Sequence, residues 1–76
     1  MLENPQVLEK HLIEKLREER LQQGFSYEKL AEITGLHRTT ISLIERGKSH
    51  PTLLICLKIA KALNLDILNA DIFNQK

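Results

Sequence analysis

The stretch Phe25–Gly47, FSYEKLAEITGLHRTTISLIERG, contains two short helical patterns separated by a glycine turn. Ser26 suits the N-cap of the first pattern, because its hydroxyl can accept a hydrogen bond from a free backbone amide. Gly35 ends that pattern, because glycine tolerates the left-handed backbone that closes a helix. In the second pattern Ile41 and Ile44 are three residues apart, so they share one face and can be buried together. The final glycine of the stretch ends the second helix.

Two short helices joined by a turn that contains glycine form a helix-turn-helix unit. Leu36 lies in the turn and would fill the corner between the two helices. In such a unit the first residues of the second helix reach base edges in the major groove of DNA. The stretch therefore predicts a helix-turn-helix unit whose second helix is the recognition helix.

Helical patterns flank this unit on both sides. A long first helix is predicted from Asn4–Pro5 to about Gln23, with Leu8, Leu12 and Leu16 close to one line. After the unit, Thr52 suits the N-cap of a fourth helix. Its apolar residues recur at spacings of three and four, which predicts a buried stripe of Leu53, Cys56, Leu57, Ala60 and Leu63.

Asn64 ends the fourth helix, and Asp66 would cap a fifth helix over residues 66–73. The predicted fold class is all-α, a compact five-helix domain that spans residues 1–76 with its core within residues 7–63. The predicted core consists of Leu16, Leu30, Ala31, Leu36, Ile41, Ile44, Leu53, Cys56, Ala60 and Leu63.

Seven groups of residues carry a family resemblance: Gly24-Phe25-Ser26, Leu30-Ala31, Gly35-Leu36, Thr40-Ile41-Ser42, Ile44-Glu45-Arg46-Gly47, Pro51-Thr52 and Ile59-Ala60-Lys61-Ala62-Leu63. At this spacing the chain resembles the lambda-repressor-like (Cro/XRE) family of helix-turn-helix DNA-binding proteins. The resemblance extends roughly from Leu12 to Phe73. The family includes small phage repressors and restriction–modification controller proteins, and the resemblance implies a role in transcription regulation.

Composition favours a small protein of the cytoplasm. With 76 residues the chain lies near the lower limit for a sufficient core without a disulfide or metal. Cys56 is the only cysteine, so no internal disulfide can form and a reducing cytoplasm is the expected setting. No apolar run approaches about 18 residues, and the chain begins without a basic-then-apolar signal. Because Cys56 lies within the apolar stripe, we expect a packed small hydrophobic side chain rather than a reactive thiol.

The distribution of charge points to nucleic acid more strongly than the net charge does. The net charge is only +1, which alone argues weakly against DNA binding. Residues 34–63, however, carry five basic residues and one acidic residue, whereas residues 1–33 carry five basic and seven acidic residues. The basic surplus lies on and after the predicted recognition helix, where phosphate contacts are needed.

Four residues of the recognition helix are candidates for base contacts. Arg38 could bond guanine O6 and N7, and Thr39 could offer a hydroxyl and a methyl group to a thymine. Thr40 follows them at the start of the helix. Leu43 occupies an outward position where related repressors often carry a polar residue, and it would pack on a thymine methyl or flank the core. The alternative for these residues is a solvated helix start.

Seven residues are candidates for contact with the DNA backbone: Ser26, Tyr27, His37, Ser42, Arg46, Lys48 and Ser49. Ser26 and Tyr27 begin the first helix of the unit, whose N-terminal amides suit a phosphate. The resemblance implies a glutamine where Tyr27 stands, although a tyrosine hydroxyl can also donate to phosphate. His37 stands at the cap of the recognition helix and would touch phosphate when protonated, cap the helix or stay solvated.

Other chemistry has little support. The resemblance implies an internal ion pair between Arg20 and Glu45, and the alternative is that Glu45 is a surface charge. His11, His37 and His50 share no close spacing, so no metal site is predicted. Paired carboxylates, a nucleophile elbow and a phosphate-cradling glycine loop are all missing from the sequence, so we expect neither an enzyme nor a cofactor.

These features predict a sequence-specific, double-stranded DNA-binding transcriptional regulator that acts as a homodimer on a palindromic operator, as a small repressor or a restriction–modification controller. One such module reads only a few base pairs, so two copies are expected. The alternatives are an antitoxin that also represses its own operon, and a protein-interaction module that has lost DNA binding. RNA polymerase and a toxin are the candidate further partners.

The dimer is predicted to form through the C-terminal segment Leu65–Phe73. This segment carries more apolar surface than is needed to cover one end of the core, and exposed apolar patches usually mark an interface. The candidate interface residues are Leu54, Ile55, Leu65, Ile67, Leu68, Ile72 and Phe73. The alternative is that the segment folds back and seals its own domain.

Overall fold

The computed structural model describes residues 4–67, which form four helices and contain no strand. The helices are α1 (Pro5–Gln22), α2 (Tyr27–Thr34), α3 (Arg38–Glu45) and α4 (Leu53–Ala62). The predicted all-helical class is confirmed for this part of the chain, and α2 and α3 are the two members of the helix-turn-helix unit. None of the four helices is long and apolar enough to span a membrane.

Side chains cap three of the four helices at their N-termini. Asn4, Ser26 and Thr52 each accept a hydrogen bond from the backbone amide three residues further on, at 3.0, 3.0 and 3.1 Å. A cap of this kind is worth about 0.5–2 kcal/mol, so these polar residues determine where the helices begin. His37 occupies the N-cap of α3 but makes no such bond and is exposed. The interpretation of His37 as a side-chain cap is therefore wrong.

The chain turns after every helix at a residue with positive φ. These residues are Gly24, Gly35, Gly47 and Asn64, with φ values of 75°, 76°, 71° and 57°. After α1, α3 and α4 the following amide donates to the carbonyl five residues earlier, which satisfies an acceptor that the helix end leaves free. The pairs are Phe25 to Arg20, Lys48 to Leu43 and Leu65 to Ala60, with N···O distances of 3.0, 2.8 and 2.8 Å.

One core connects all four helices. Its largest fully buried side chains are Leu30, Ile41, Ile44 and Leu63, and its other members are Ile13, Leu16, Cys56, Ile59, Ala60 and Ile67. Seven of the predicted core residues are buried, and Ala31 and Leu36 pack against the core while partly exposed. Ile41 and Ile44 therefore hold α3 to the domain as its spacing predicted.

The buried side of α4 differs from the predicted stripe. Leu53 and Leu57 both belong to the predicted buried stripe, but their exposed fractions are 66% and 38%. Ile59, which lies outside the stripe, is only 3% exposed. A helix turns by about 100° per residue, and the buried residues Cys56, Ile59, Ala60 and Leu63 point on average in one direction from the helix axis. Leu53 lies roughly 70° from that direction, and Leu57 lies roughly 110° from it. The prediction for these two leucines is wrong because α4 packs with another face against α2.

The chain after α4 contributes to the core without forming a helix over residues 65–67. The structure thus has four helices rather than five over the described residues, and the rest of the fifth helix predicted for residues 66–73 lies outside them. Ile67 is 3% exposed and belongs to the core. Its assignment to a dimer interface is therefore wrong, because the turn at Asn64 directs the following residues back onto the domain.

Candidate nucleic-acid interface

Helix α3 presents one side to the core and the opposite side to solvent. Ile41 and Ile44 are 0% and 1% exposed. At about 100° per residue, Thr39 lies roughly 170° from the middle of that buried side, and Ser42 and Leu43 lie roughly 130° from it. Thr39 is exposed, whereas Ser42 and Leu43 are half-buried. The outer side of α3 is therefore formed by Thr39, Ser42 and Leu43, none of which carries a charge.

The two remaining candidates for base contacts differ in accessibility. Arg38 is the first residue of α3, is exposed, and lies roughly 90° from the buried side, at the edge of the outer surface. Thr40 lies only about 70° from the middle of the buried side and is half-buried. Arg38 and Thr39 are therefore accessible, Leu43 lies half-buried on the outer side, and Thr40 lies nearer the core.

The N-terminus of α2 contributes a serine and a tyrosine. The Ser26 hydroxyl accepts a hydrogen bond from the Lys29 amide at 3.0 Å, which leaves the hydroxyl proton available to another acceptor. Tyr27 is half-buried, and the guanidinium carbon of Arg20 lies 4.5 Å from the centroid of its ring. Tyr27, where the resemblance implies a glutamine, is therefore stacked on a cation.

The loop after α3 carries the basic candidates for phosphate contact. Arg46 and Lys48 are exposed and Ser49 is half-buried. The Lys48 amide donates to the Leu43 carbonyl at 2.8 Å, so the backbone of this loop is tied to α3. Together with Arg38, the loop places three cationic side chains at the two ends of α3.

Arg20 and Glu45 form a buried ion pair, and the alternative of a surface glutamate is wrong. Nε and Nη2 of Arg20 donate to the two carboxylate oxygens at 2.7 and 3.0 Å, and Nη1 donates to the Phe25 carbonyl at 2.7 Å. The side chains of Arg20 and Glu45 are 10% and 5% exposed, and Arg17 approaches the same carboxylate at 4.0 Å. The hydrogen bonds with Glu45 raise the pKa of Arg20 although burial opposes the shift.

The contact between Arg20 and Tyr27 was missed by the sequence analysis. Arg20 lies near the end of α1 and Tyr27 begins α2, so no helical spacing relates them. The departure from the family pattern at Tyr27 was the only signal that this position differs.

Two predictions about reactive groups concern cysteine and histidine. Cys56 is 4% exposed and packed in the core, as predicted. Burial, with a smaller effect of the Glu9 charge, raises the pKa of its thiol.

Nδ1 of His50 lies 2.8 Å from a carboxylate oxygen of Glu9. Within residues 4–67 no three His, Cys, Asp or Glu side chains come together in a way that could hold a metal ion.

Apart from the buried Ile67, the predicted dimer residues separate into three groups. Leu54 is 62% exposed, whereas Ile55 and Leu65 are half-buried and pack against the core. Leu68, Ile72 and Phe73 lie outside the described residues. Leu53 and Leu57, which belong to the predicted buried stripe, instead join Leu54 in an exposed apolar surface at the start of α4. We call these three residues the α4 leucine patch.

Comparison with known proteins matches this geometry to a family. The helix-turn-helix family profile matches residues 16–68, which include all of α2, α3 and α4. The chain belongs to the Cro/XRE-type helix-turn-helix family. It is accordingly of the helix-turn-helix transcriptional-regulator type, which is the general role that the sequence predicted.

Relatives of this helix-turn-helix regulator include proteins named as transcriptional regulators and proteins named as control or controller proteins. The uncharacterized HTH-type transcriptional regulator YgzD of Bacillus subtilis is 45% identical over 51 residues, 67% of this chain and 77% of YgzD. The control protein C.SmaI of Serratia marcescens is 45% identical over 56 residues, 74% of this chain and 67% of C.SmaI. A solved structure of the restriction–modification controller protein C.Esp1396I, a tetramer with its natural 35 base-pair operator, superimposes with a TM-score of 0.73. The two share 31% identity over 80% of each chain.

Proposed function

We propose that this chain binds a specific double-stranded DNA operator as a homodimer and regulates transcription as a small repressor or a restriction–modification controller. The observation that carries the proposal is the accessible surface of α3, where exposed Thr39 lies opposite the buried Ile41 and Ile44 and exposed Arg38 lies at the edge. A helix held by one face and bearing donors at its N-terminus has the geometry that reads bases in the major groove.

Base recognition is assigned to the accessible side of α3. Arg38 donates two hydrogen bonds to O6 and N7 of a guanine, which distinguishes guanine from the other bases in the major groove. Thr39 contacts the neighbouring base through its hydroxyl or methyl group. Leu43 lies on the same side and packs on a thymine methyl, and Thr40 contributes at the edge of this surface.

Phosphate contacts on both sides of α3 position the recognition helix. Ser26 and Tyr27 approach the DNA backbone from the start of α2, and Arg46, Lys48 and Ser49 approach it from the following loop. His37 and Ser42 complete this set. Such contacts supply affinity and orientation without selecting a sequence. The basic surplus of residues 34–63 supports this assignment.

The homodimer is proposed to use the α4 leucine patch. A single module reads too few base pairs for useful specificity, and two copies related by a two-fold axis read a palindrome. Leu53, Leu54 and Leu57 are 66%, 62% and 38% exposed, and they place apolar side chains together at the start of α4. A second copy of this chain would bury the patch against itself, because a two-fold contact places like against like. The operator complex of C.Esp1396I, which is a tetramer, supports repeated copies on one DNA.

Selection of binding sites from a random DNA library tests the proposal. We expect enrichment of a palindrome whose half-sites are about 10 base pairs apart, centre to centre, and a guanine at one position of each half-site. Binding should weaken steeply with salt. Retention of no DNA at low salt would overturn the proposal and would favour the protein-interaction module instead. Contacts with RNA polymerase or a toxin stay predictions.

A further inference from the structure

Three parts of the DNA-binding unit meet at one buried guanidinium. Arg20 of α1 is 8% exposed and bonds the carboxylate of Glu45, the last residue of α3. Its third nitrogen bonds the carbonyl of Phe25, two residues before α2 begins. The ring of Tyr27, the first residue of α2, lies against the same guanidinium at 4.5 Å. Arg20 therefore connects the start of α2 to the end of the recognition helix.

Tyr27 is half-buried, and its phenol oxygen has one proton to donate. Glu45 is the main cause of the raised pKa of Arg20. The positive charge against the ring face polarises the phenol and makes its O–H a stronger donor. An anion is the acceptor that such a donor prefers.

We propose that Arg20 is a positioning residue for DNA binding, which holds the Tyr27 hydroxyl as a phosphate donor at a fixed distance from the recognition helix. The inference rests on the proposed function and names how one of its phosphate contacts is built. Arg20 does not touch DNA in this account; it acts through Tyr27 on one side and Glu45 on the other.

The physical advantage of such a contact is preorganisation. A tyrosine that is free to rotate must be ordered when DNA binds, and ordering a side chain at an interface reduces affinity. Stacking on Arg20 orders the ring beforehand. Lysine cannot replace arginine in this role, because its ammonium has neither the planar face for the ring nor the fork for the carboxylate.

A double-mutant cycle separates positioning from a purely structural role. Wild type, Tyr27→Phe, Arg20→Lys and the double variant are titrated with a mixed-sequence duplex of three turns, roughly 30 base pairs, at low salt. Tyr27→Phe keeps the stacked ring and removes only the hydroxyl, so it should weaken binding about three- to tenfold, the effect of one net hydrogen bond. Arg20→Lys should weaken binding by a larger factor in wild type than in the Tyr27→Phe background, where only its effect through Glu45 remains.

Each outcome of these DNA titrations identifies which part of the inference is wrong. If the losses from the two substitutions multiply, Arg20 does not act through Tyr27 and the inference is wrong. Unchanged binding by Tyr27→Phe would show that the hydroxyl does not meet phosphate, and this also overturns it. If wild type binds no DNA, the proposed function fails first.

A measurement on the wild-type chain covers the case in which Arg20→Lys does not fold. Tyr27 is the only tyrosine, so its ring gives one set of signals in an NMR spectrum of the chain with labelled tyrosine. Saturation with the same duplex should shift these ring signals and the Nε–H signal of Arg20 together. Ring signals that stay unchanged at saturation would overturn the inference without any variant.

Discussion

The Arg20 guanidinium donates two hydrogen bonds, of 2.7 and 3.0 Å, to the Glu45 carboxylate across 25 residues of sequence. This bidentate pair ties α1 directly to the end of the recognition helix. Both side chains are nearly excluded from solvent, so neither charge can be compensated by water if the other is removed. The orientation of α3 on the domain therefore depends on this pair as well as on its buried isoleucines.

Glu45→Ala should lower the free energy of unfolding by about 3–5 kcal/mol, because it leaves the guanidinium of Arg20 buried without its partner. Replacement of the pair by Arg20→Met with Glu45→Leu should cost much less, since no charge then remains buried. Urea unfolding followed by circular dichroism measures both. A loss below about 1 kcal/mol for Glu45→Ala would mean that the pair behaves like a solvated surface pair.

Ile44→Ala should cost on the order of 2–5 kcal/mol, because it opens a cavity in the centre of a small core. Leu53→Ala is the matched control: Leu53 is 66% exposed in one protomer, so at concentrations where the chain is monomeric its truncation should change stability by no more than about 0.5 kcal/mol. Thermal unfolding of the two variants compares them directly. Equal losses would contradict the position of α4 described above.

Arg38→Ala and Lys48→Ala should weaken DNA binding in different ways. Arg38→Ala should lose roughly 1–3 kcal/mol on the best site and relax the preference at one base position. Lys48→Ala should weaken all sequences alike and reduce the salt slope by about one. Site selection with each variant provides the measurement. If Arg38→Ala keeps the wild-type base preferences, the assignment of Arg38 to a base is wrong.

Leu54→Asp should shift the chain from dimer to monomer and weaken operator binding. Leu54 lies in the first turn of α4, where a carboxylate suits the helix dipole, so the helix itself should keep its stability. Leu21→Asp is the control, because Leu21 is 51% exposed on α1 and lies outside the patch. Sedimentation velocity distinguishes the states. A Leu54→Asp chain that stays dimeric would place the interface elsewhere.

Alkaline pH should destabilise the wild-type chain through Cys56. The pKa of the folded thiol is raised by burial, so the unfolded thiol, with a pKa of about 8.5, loses its proton first. Stability from this group is complete below that pH and falls above it by up to about 1.4 kcal/mol per pH unit until the folded pKa is reached. Urea unfolding of wild type and Cys56→Ala between neutral and alkaline pH measures the difference in slope. Parallel curves would contradict a buried thiol.

Local interactions determine most of the secondary structure of this chain. Asn4, Ser26 and Thr52 cap helices with their own side chains, and Gly35 and Asn64 end helices because they tolerate positive φ. Each of these effects acts within a few residues, so the order of residues is sufficient to predict it. The burial of Ile41 and Ile44, and with it the outer side of α3, follows from helical periodicity in the same way.

Packing between helices determines the contacts and buried faces that helical periodicity alone does not predict. The apolar residues of α4 are compatible with several buried faces, and contact with α2 selects the one that contains Ile59 and exposes Leu53. Ile67 joins the core because the turn after α4 returns the chain to it. The stacking of Tyr27 on Arg20 depends on where two helices cross, and no spacing along the chain encodes that distance. These features follow from which side chains fill the space between helices, a property of the whole fold rather than of any segment.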